Sequence, residues 1–133
     1  MRRISTLVLA LAALGSVLVL ACGGDSKPAA TVQVELKEWT VSPSVTSVGA
    51  GKIRFVAKNN GTMTHELALL SVGSDGTKRE LAEVEDVTVG SEGEFEAALK
   101  PGQYQLACLL VPGEAGSTVD HYQQGMHTDF TVR

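Results

Sequence analysis

From Thr31 onward the chain alternates apolar and polar positions with a period of two. Val32, Val34 and Leu36 alternate with Thr31, Gln33, Glu35 and Lys37, and Ile53, Phe55 and Ala57 alternate with Lys52, Arg54 and Lys58. Leu67 and Leu69 alternate with Glu66 and Ala68. Val87 and Val89, then Phe95 and Ala97, extend the pattern. Tyr104, Leu106 and Cys108 share one face of a further run, and Phe130 and Val132 close the chain. Successive side chains of an extended strand point to opposite faces, so this period predicts half-buried strands rather than helices. Turn-forming clusters separate the runs: Ser42-Pro43, Gly49-Ala50-Gly51, Asn59-Asn60-Gly61, Ser74-Asp75-Gly76, Ser91-Glu92-Gly93 and Pro101-Gly102. Short strands punctuated this regularly predict an all-β domain, an antiparallel Greek-key sandwich or barrel of about seven to eight strands. Lys78 to Asp86 has mixed spacing and reads as loop and strand. No internal repeat is visible.

The N-terminal end follows a different pattern. Arg2 and Arg3 precede a run from Ile4 to Leu20 that is apolar apart from Ser5, Thr6, Gly15 and Ser16. A positive start, a short apolar stretch and small residues at its end predict a secretory signal over residues 1–21. The junction Val19-Leu20-Ala21-Cys22 resembles a bacterial lipobox, which implies lipid on the Cys22 sulfur and cleavage before it. An uncleaved N-terminal anchor is the alternative. Either way the remainder is expected to be exported and held on the extracytoplasmic face of a bacterial membrane, in the periplasm or at the cell surface. Residues 22–30 then form the lipidated cysteine and a flexible tether. Residues 31–133 suffice for one domain with its own core.

Charge narrows the partners. The whole chain carries a formal charge of −4. All 15 acids lie after Cys22 while two of the 11 bases precede it, so the exported part has nine bases against fifteen acids, or −6. Phosphates would repel such a chain, and it contains no Gly-rich phosphate cradle or basic–aromatic patch, so nucleic acid is not an expected partner. The acidic stretch Glu80, Glu83, Glu85, Asp86, Glu92, Glu94 and Glu96 either steers a basic partner or is simply a solvated hairpin face.

The sequence has two cysteines. With Cys22 lipidated, Cys108 has no partner, and a lone thiol in an oxidising compartment is buried, reactive or bound to something. Twelve residues separate Cys108 from His121, and four more separate His121 from Met126; a second imidazole, His65, lies upstream after a turn. Singly, each residue has a bland reading: a buried thiol, a surface histidine, a core methionine. Together, two imidazoles, a thiolate and a thioether form the donor set of a mononuclear blue-copper site. In that site Cys108 provides the short covalent bond, His65 and His121 complete a trigonal plane, and Met126 is the weak axial ligand. At least one ring is expected to donate from its other nitrogen to a fixed acceptor. Asn60 is a candidate for ordering the His65 turn. Met63 is expected to pack against the site, and His127 to point outward.

At these residues the chain resembles the cupredoxins, most closely the exported plastocyanin/azurin-like copper proteins of bacteria. The resemblance runs from about Thr31 to Arg133. Glu38-Trp39 with Ser42-Pro43-Ser44, and Val48 to Phe55, resemble that family's early strands. Asn60-Gly61-Thr62-Met63-Thr64-His65-Glu66-Leu67 resembles its first-histidine motif, Lys100 to Cys108 its cysteine strand, and His121-Tyr122-Gln123-Gln124-Gly125-Met126 its closing motif. The resemblance implies one copper ion, no catalysis, and a membrane-tethered one-electron carrier serving a redox partner. Copper delivery or sequestration with a copper-trafficking partner, and a metal-free binding module, are the alternatives. Catalysis is further disfavoured because no nucleophile–base pair is visible and a saturated copper leaves no open position for substrate. One departure stands out: Glu114 to Asp120 lengthen the loop before His121. A longer loop is expected to be slack and to bring Glu114 or Asp120 within reach of the metal.

Overall fold

The computed structural model describes residues 27–133. The signal, Cys22 and most of the tether lie outside the described residues. In chain order the strands are β1 (Ala30–Lys37), β2 (Thr40–Pro43), β3 (Ser47–Val48), β4 (Gly51–Asn59), β5 (His65–Val72), β6 (Lys78–Val87), β7 (Glu92–Leu99), β8 (Gly102–Ala107) and β9 (His127–Val132). They form a four-stranded sheet, β2-β1-β4-β7, and a five-stranded sheet, β3-β9-β8-β5-β6. The all-β Greek-key sandwich is therefore present, with nine strands rather than seven or eight. Two of its pairings, β1 with β4 and β3 with β9, are parallel; the other five are antiparallel.

The period-two residues build the core. Val32, Val34, Leu36, Ile53, Phe55 and Ala57 of one sheet meet Leu67, Leu69, Leu106, Phe130 and Val132 of the other. Phe55 joins the layers: its ring stacks on its cross-strand neighbour Phe95 and meets Phe130 edge-on, with centroids 5.2 and 5.5 Å away. Burying one such ring stabilises by about 1.5–3 kcal/mol. The outward face of the first sheet carries many charged residues, and Arg54 sits opposite Glu96 with its guanidinium 2.8 Å from the carboxylate. Tyr104 closes the β7–β8 turn by donating its hydroxyl proton to the Lys100 carbonyl at 2.8 Å.

Two expectations change. Lys78 to Asp86 is not loop plus strand but strand throughout, continuing to Val87 and paired antiparallel with β5 through two register shifts. The shifts account for its broken periodicity, because each bulge moves the following side chains to the other face. Val89 lies beyond that strand and is 56 % exposed, so it does not share the inward face with Val87. Nor does β5 keep its alternation: His65 to Leu70 are six consecutive buried residues. Its outer face is covered because Leu109 and Tyr122, from the segment between β8 and β9, pack against Ala68, Leu70 and Ala107 in a second small cluster.

Candidate metal centre

His65 opens β5, and Cys108 follows the last residue of the adjacent β8. His121 and Met126 lie on the segment that returns to β9. Among the described residues, His65, Cys108 and His121 form a cluster whose ligating atoms all lie within 4.8 Å of one another. His121 Nδ1 stands 3.3 Å from Cys108 Sγ and 3.3 Å from His65 Nδ1. Metal–nitrogen and metal–sulfur bonds of about 2.0–2.3 Å at trigonal angles hold neighbouring donors at about 3.5–3.7 Å, so the observed spacing is a few tenths of an ångström from what one ion needs. Met126 is as buried as the other three, all at 0 % exposure. Its backbone ties the cluster together: its carbonyl accepts from the Cys108 amide at 2.9 Å, and its amide donates to the His121 carbonyl at 3.1 Å.

The surroundings hold all three donors neutral. Desolvation pushes the Cys108 thiol up to about 11, despite amide hydrogen bonds that favour the thiolate. One such donor, the Glu66 amide, lies 3.4 Å from the sulfur. Burial lowers both imidazoles below the ordinary histidine value; the proximity of His65 lowers His121 further, while the neighbouring Glu38 partly offsets the shift of His65. Two neutral imidazoles and a thiol thus converge in a water-free space. A soft or borderline metal that displaces the thiol proton suits such donors.

Each ring is held from its far side. His121 Nε2 lies 2.9 Å from Ser117 Oγ. That hydroxyl donates its own hydrogen to the Val119 carbonyl at 2.7 Å and accepts the Val119 amide at 3.2 Å. Its remaining lone pair is satisfied only if His121 carries its proton on Nε2, which leaves Nδ1 bare toward Cys108. His65 Nε2 lies 3.2 Å from Glu38 Oε1. Burial is the largest single influence on the Glu38 carboxyl and raises it, but hydrogen bonds from the Thr62, Glu38 and Met63 backbone, with His65, together outweigh it and hold the group at about 2. Next to Glu38, Trp39 meets the His121 ring edge-on at a centroid distance of 5.2 Å. Consecutive residues of the β1–β2 turn therefore touch the two histidines.

The sequence reading missed this turn, and also Ser117. Glu38 and Trp39 lie far from any ligand in the chain, and Ser117, though four residues before His121, carries no local mark of its contact with that ring. Asn60 is not what orders the His65 turn, for its amide reaches out to Glu35. Its neighbour Asn59, fully buried, does so: Nδ2 donates to the carbonyls of Met63 and Val87, each at 2.7 Å, and Oδ1 accepts from the Gly61 amide at 2.9 Å. His127 is exposed as expected and stacks on Tyr122 at 4.4 Å.

The long loop is not slack. Gly113 and Ser117 exchange a backbone hydrogen bond, Ser117 donates to the Glu114 carbonyl, and the His121 amide returns to Leu110. The Glu114 carboxylate accepts from the Val111 amide, and that of Asp120 from Gln123. Both acids are engaged within the loop, outside the His-Cys-His cluster. Glu114 lines an acidic cleft with Glu66, Glu85 and Asp86.

Residues 8–119 match the family model of the cupredoxin-like domain. The match includes His65 and Cys108 and stops short of His121, which the cluster geometry joins to them, and of Met126, which is tied in through its backbone. No curated protein matches the chain. Among solved structures, reduced auracyanin from the photosynthetic bacterium Roseiflexus castenholzii superposes with a TM-score of 0.60 at 19 % identity, covering 80 % of this chain and 99 % of that one. Auracyanin A, a blue copper protein of the green thermophilic photosynthetic bacterium Chloroflexus aurantiacus, gives 0.53 at 19 %, covering 77 % and 99 %. A multicopper oxidase from Campylobacter jejuni gives 0.50 at 12 %, covering 83 % of this chain but 31 % of its own. At these identities the likeness establishes the shared fold, which a blue copper protein and a multicopper oxidase both use. With a family model matching most of its length, the chain belongs to the cupredoxin-like domain family.

Proposed function

We propose that the protein is a one-electron carrier holding a single copper ion between His65, Cys108, His121 and Met126. The observation that carries this reading is the meeting of three buried donor atoms, two Nδ1 and one Sγ, at 3.3 Å spacings around His121. When bound, copper supplies the one-electron couple. The protein supplies donors fixed by strand ends and by hydrogen bonds, so the site changes shape little between oxidation states. Trp39, half-buried and in contact with His121, offers a π-system between that ring and solvent. Full burial of all four donors favours electron exchange over handing the metal to another protein, because delivery requires a partner's ligand to reach the ion. A four-donor set would leave no open position for a substrate, which supports a carrier over an enzyme.

A lipid on Cys22 would confine the carrier to the outer face of a bacterial membrane, and residues 22–30 would let the domain reach its redox partner. The lipobox-like junction supports this placement. Protein-film voltammetry of the copper-loaded domain tests the carrier reading and is expected to give a reversible one-electron wave. Tight copper(I) binding with an irreversible couple would favour delivery or sequestration. Equal thermal midpoints with and without copper would favour a metal-free module, since a ligand that binds only the native state raises the midpoint.

A further inference from the structure

Resting on the copper reading above, we propose that Glu38 is a positioning residue of the centre: its carboxylate fixes His65 with Nδ1 bare toward the metal, and its negative charge favours the oxidised state. Three donors converge on a single oxygen. Oε1 accepts from the Thr62 amide at 2.7 Å and the Met63 amide at 2.9 Å, and faces His65 Nε2 at 3.2 Å. The two amides belong to the turn that delivers His65 to β5, so the same oxygen fixes both the turn and the ring. An ionised carboxylate has no proton to give. The ring nitrogen beside it therefore carries the hydrogen, and the lone pair lies on Nδ1, the atom 3.3 Å from His121 Nδ1. Outer partners of this kind set the tautomer of a ligating histidine and raise its basicity.

The turn is shaped to admit the carboxylate. A Cβ at Gly61 would stand 2.6 Å from Glu38 Oε1 and 3.0 Å from Cδ. Only a residue without a side chain leaves that oxygen in place. The seat is also sheltered, as the Glu38 side chain is 24 % exposed and the imidazole it meets 0 %. At such a site charge is poorly screened. The oxidised ion carries one more positive charge than the reduced one, so a fixed anion on its ligand stabilises oxidised over reduced and lowers the potential. Ser117 holds His121 from the corresponding side through a neutral hydroxyl. The two histidines are thus held by groups of different charge, and only the His65 side acts on the potential in this way.

Copper-loaded wild type, Glu38→Gln and Gly61→Ala decide the matter. Glu38→Gln keeps the shape and an accepting oxygen but removes the charge; Gly61→Ala keeps the charge but drives it off its seat. Both are expected to show a higher reduction potential than wild type. Gly61→Ala is also expected to lose copper to a chelator about 10–100-fold faster, the usual effect of losing an outer partner. If wild type is coloured and both variants keep its potential and its copper-loss rate, the proposal is overturned while the site reading stands. If wild type itself takes up no copper, the site reading has failed instead. Nitrogen NMR of copper-free wild type gives an answer that needs no variant: a proton on His65 Nε2 is expected, and a bare Nε2 overturns the role of Glu38.

Discussion

On the copper reading proposed above, the four donors differ in what each contributes, and substitution separates them. Cys108→Ser is expected to abolish any intense visible absorption, because on that reading the thiolate is the covalent ligand. Met126→Leu is expected to keep copper bound and raise the potential, because a weak axial donor is lost without opening the plane. Cys108 also predicts a proton count. Its thiol is held up to about 11 while burial keeps both histidines neutral, so copper binding at pH 7 releases about one proton, from sulfur. Calorimetry in buffers of different ionisation enthalpy measures this, and a count of zero would remove Cys108 from the ligand set. Asn59 is the structural counterpart. Asn59→Ala removes three hydrogen bonds, a buried one to the Val87 carbonyl and part-buried ones to the Met63 carbonyl and from the Gly61 amide. The expected cost is about 2–4 kcal/mol in chemical denaturation, with weaker copper retention.

At the scale of elements, the strands were legible and the covering loop was not. Alternation in Val32–Leu36, Ile53–Ala57 and Tyr104–Cys108 depends only on which face each strand turns inward, so it survives in the sequence. The bulges in the β5–β6 pairing erase that signal in Lys78 to Asp86. The loop from Leu109 to Met126 hides β5's outer face, and no local rule announces a contact between Tyr122 and residues fifty positions earlier. Donor types and their order were legible because few residues can bind soft metals. Their outer partners were not, because Glu38 and Ser117 reach the rings only after the chain folds. Ser117→Ala tests the loop's role. Loss of the hydroxyl leaves His121 Nε2 without its acceptor, and copper loss is expected to quicken by about 10–100-fold with the fold unchanged. Trp39→Leu is expected to slow electron exchange with a small iron(III) oxidant while leaving bound copper in place, as it removes the ring that links His121 to the surface.

For the whole molecule, the buried site links stability to pH. In the copper-free protein both histidines have folded values below the ordinary 6.5. The unfolded chain therefore takes up protons first as pH falls, so stability is complete above about pH 6.5 and declines below it. Cys108 acts at the other end. Its unfolded thiol ionises near 9.0 and its folded thiol only near 11, so stability falls as pH rises through that interval. Denaturation midpoints of the copper-free domain should therefore peak between these limits. Charge is also distributed unevenly. Glu92, Glu94 and Glu96 face Lys58, Arg54 and Lys52 across β4 and β7.

Titration of the signal-free protein with copper(II), followed by visible absorption, tests the central claim most directly. An intense band that saturates at one equivalent in wild type and is missing in Cys108→Ser is the predicted result. A colourless complex, or colour that persists without the Cys108 sulfur, would contradict it.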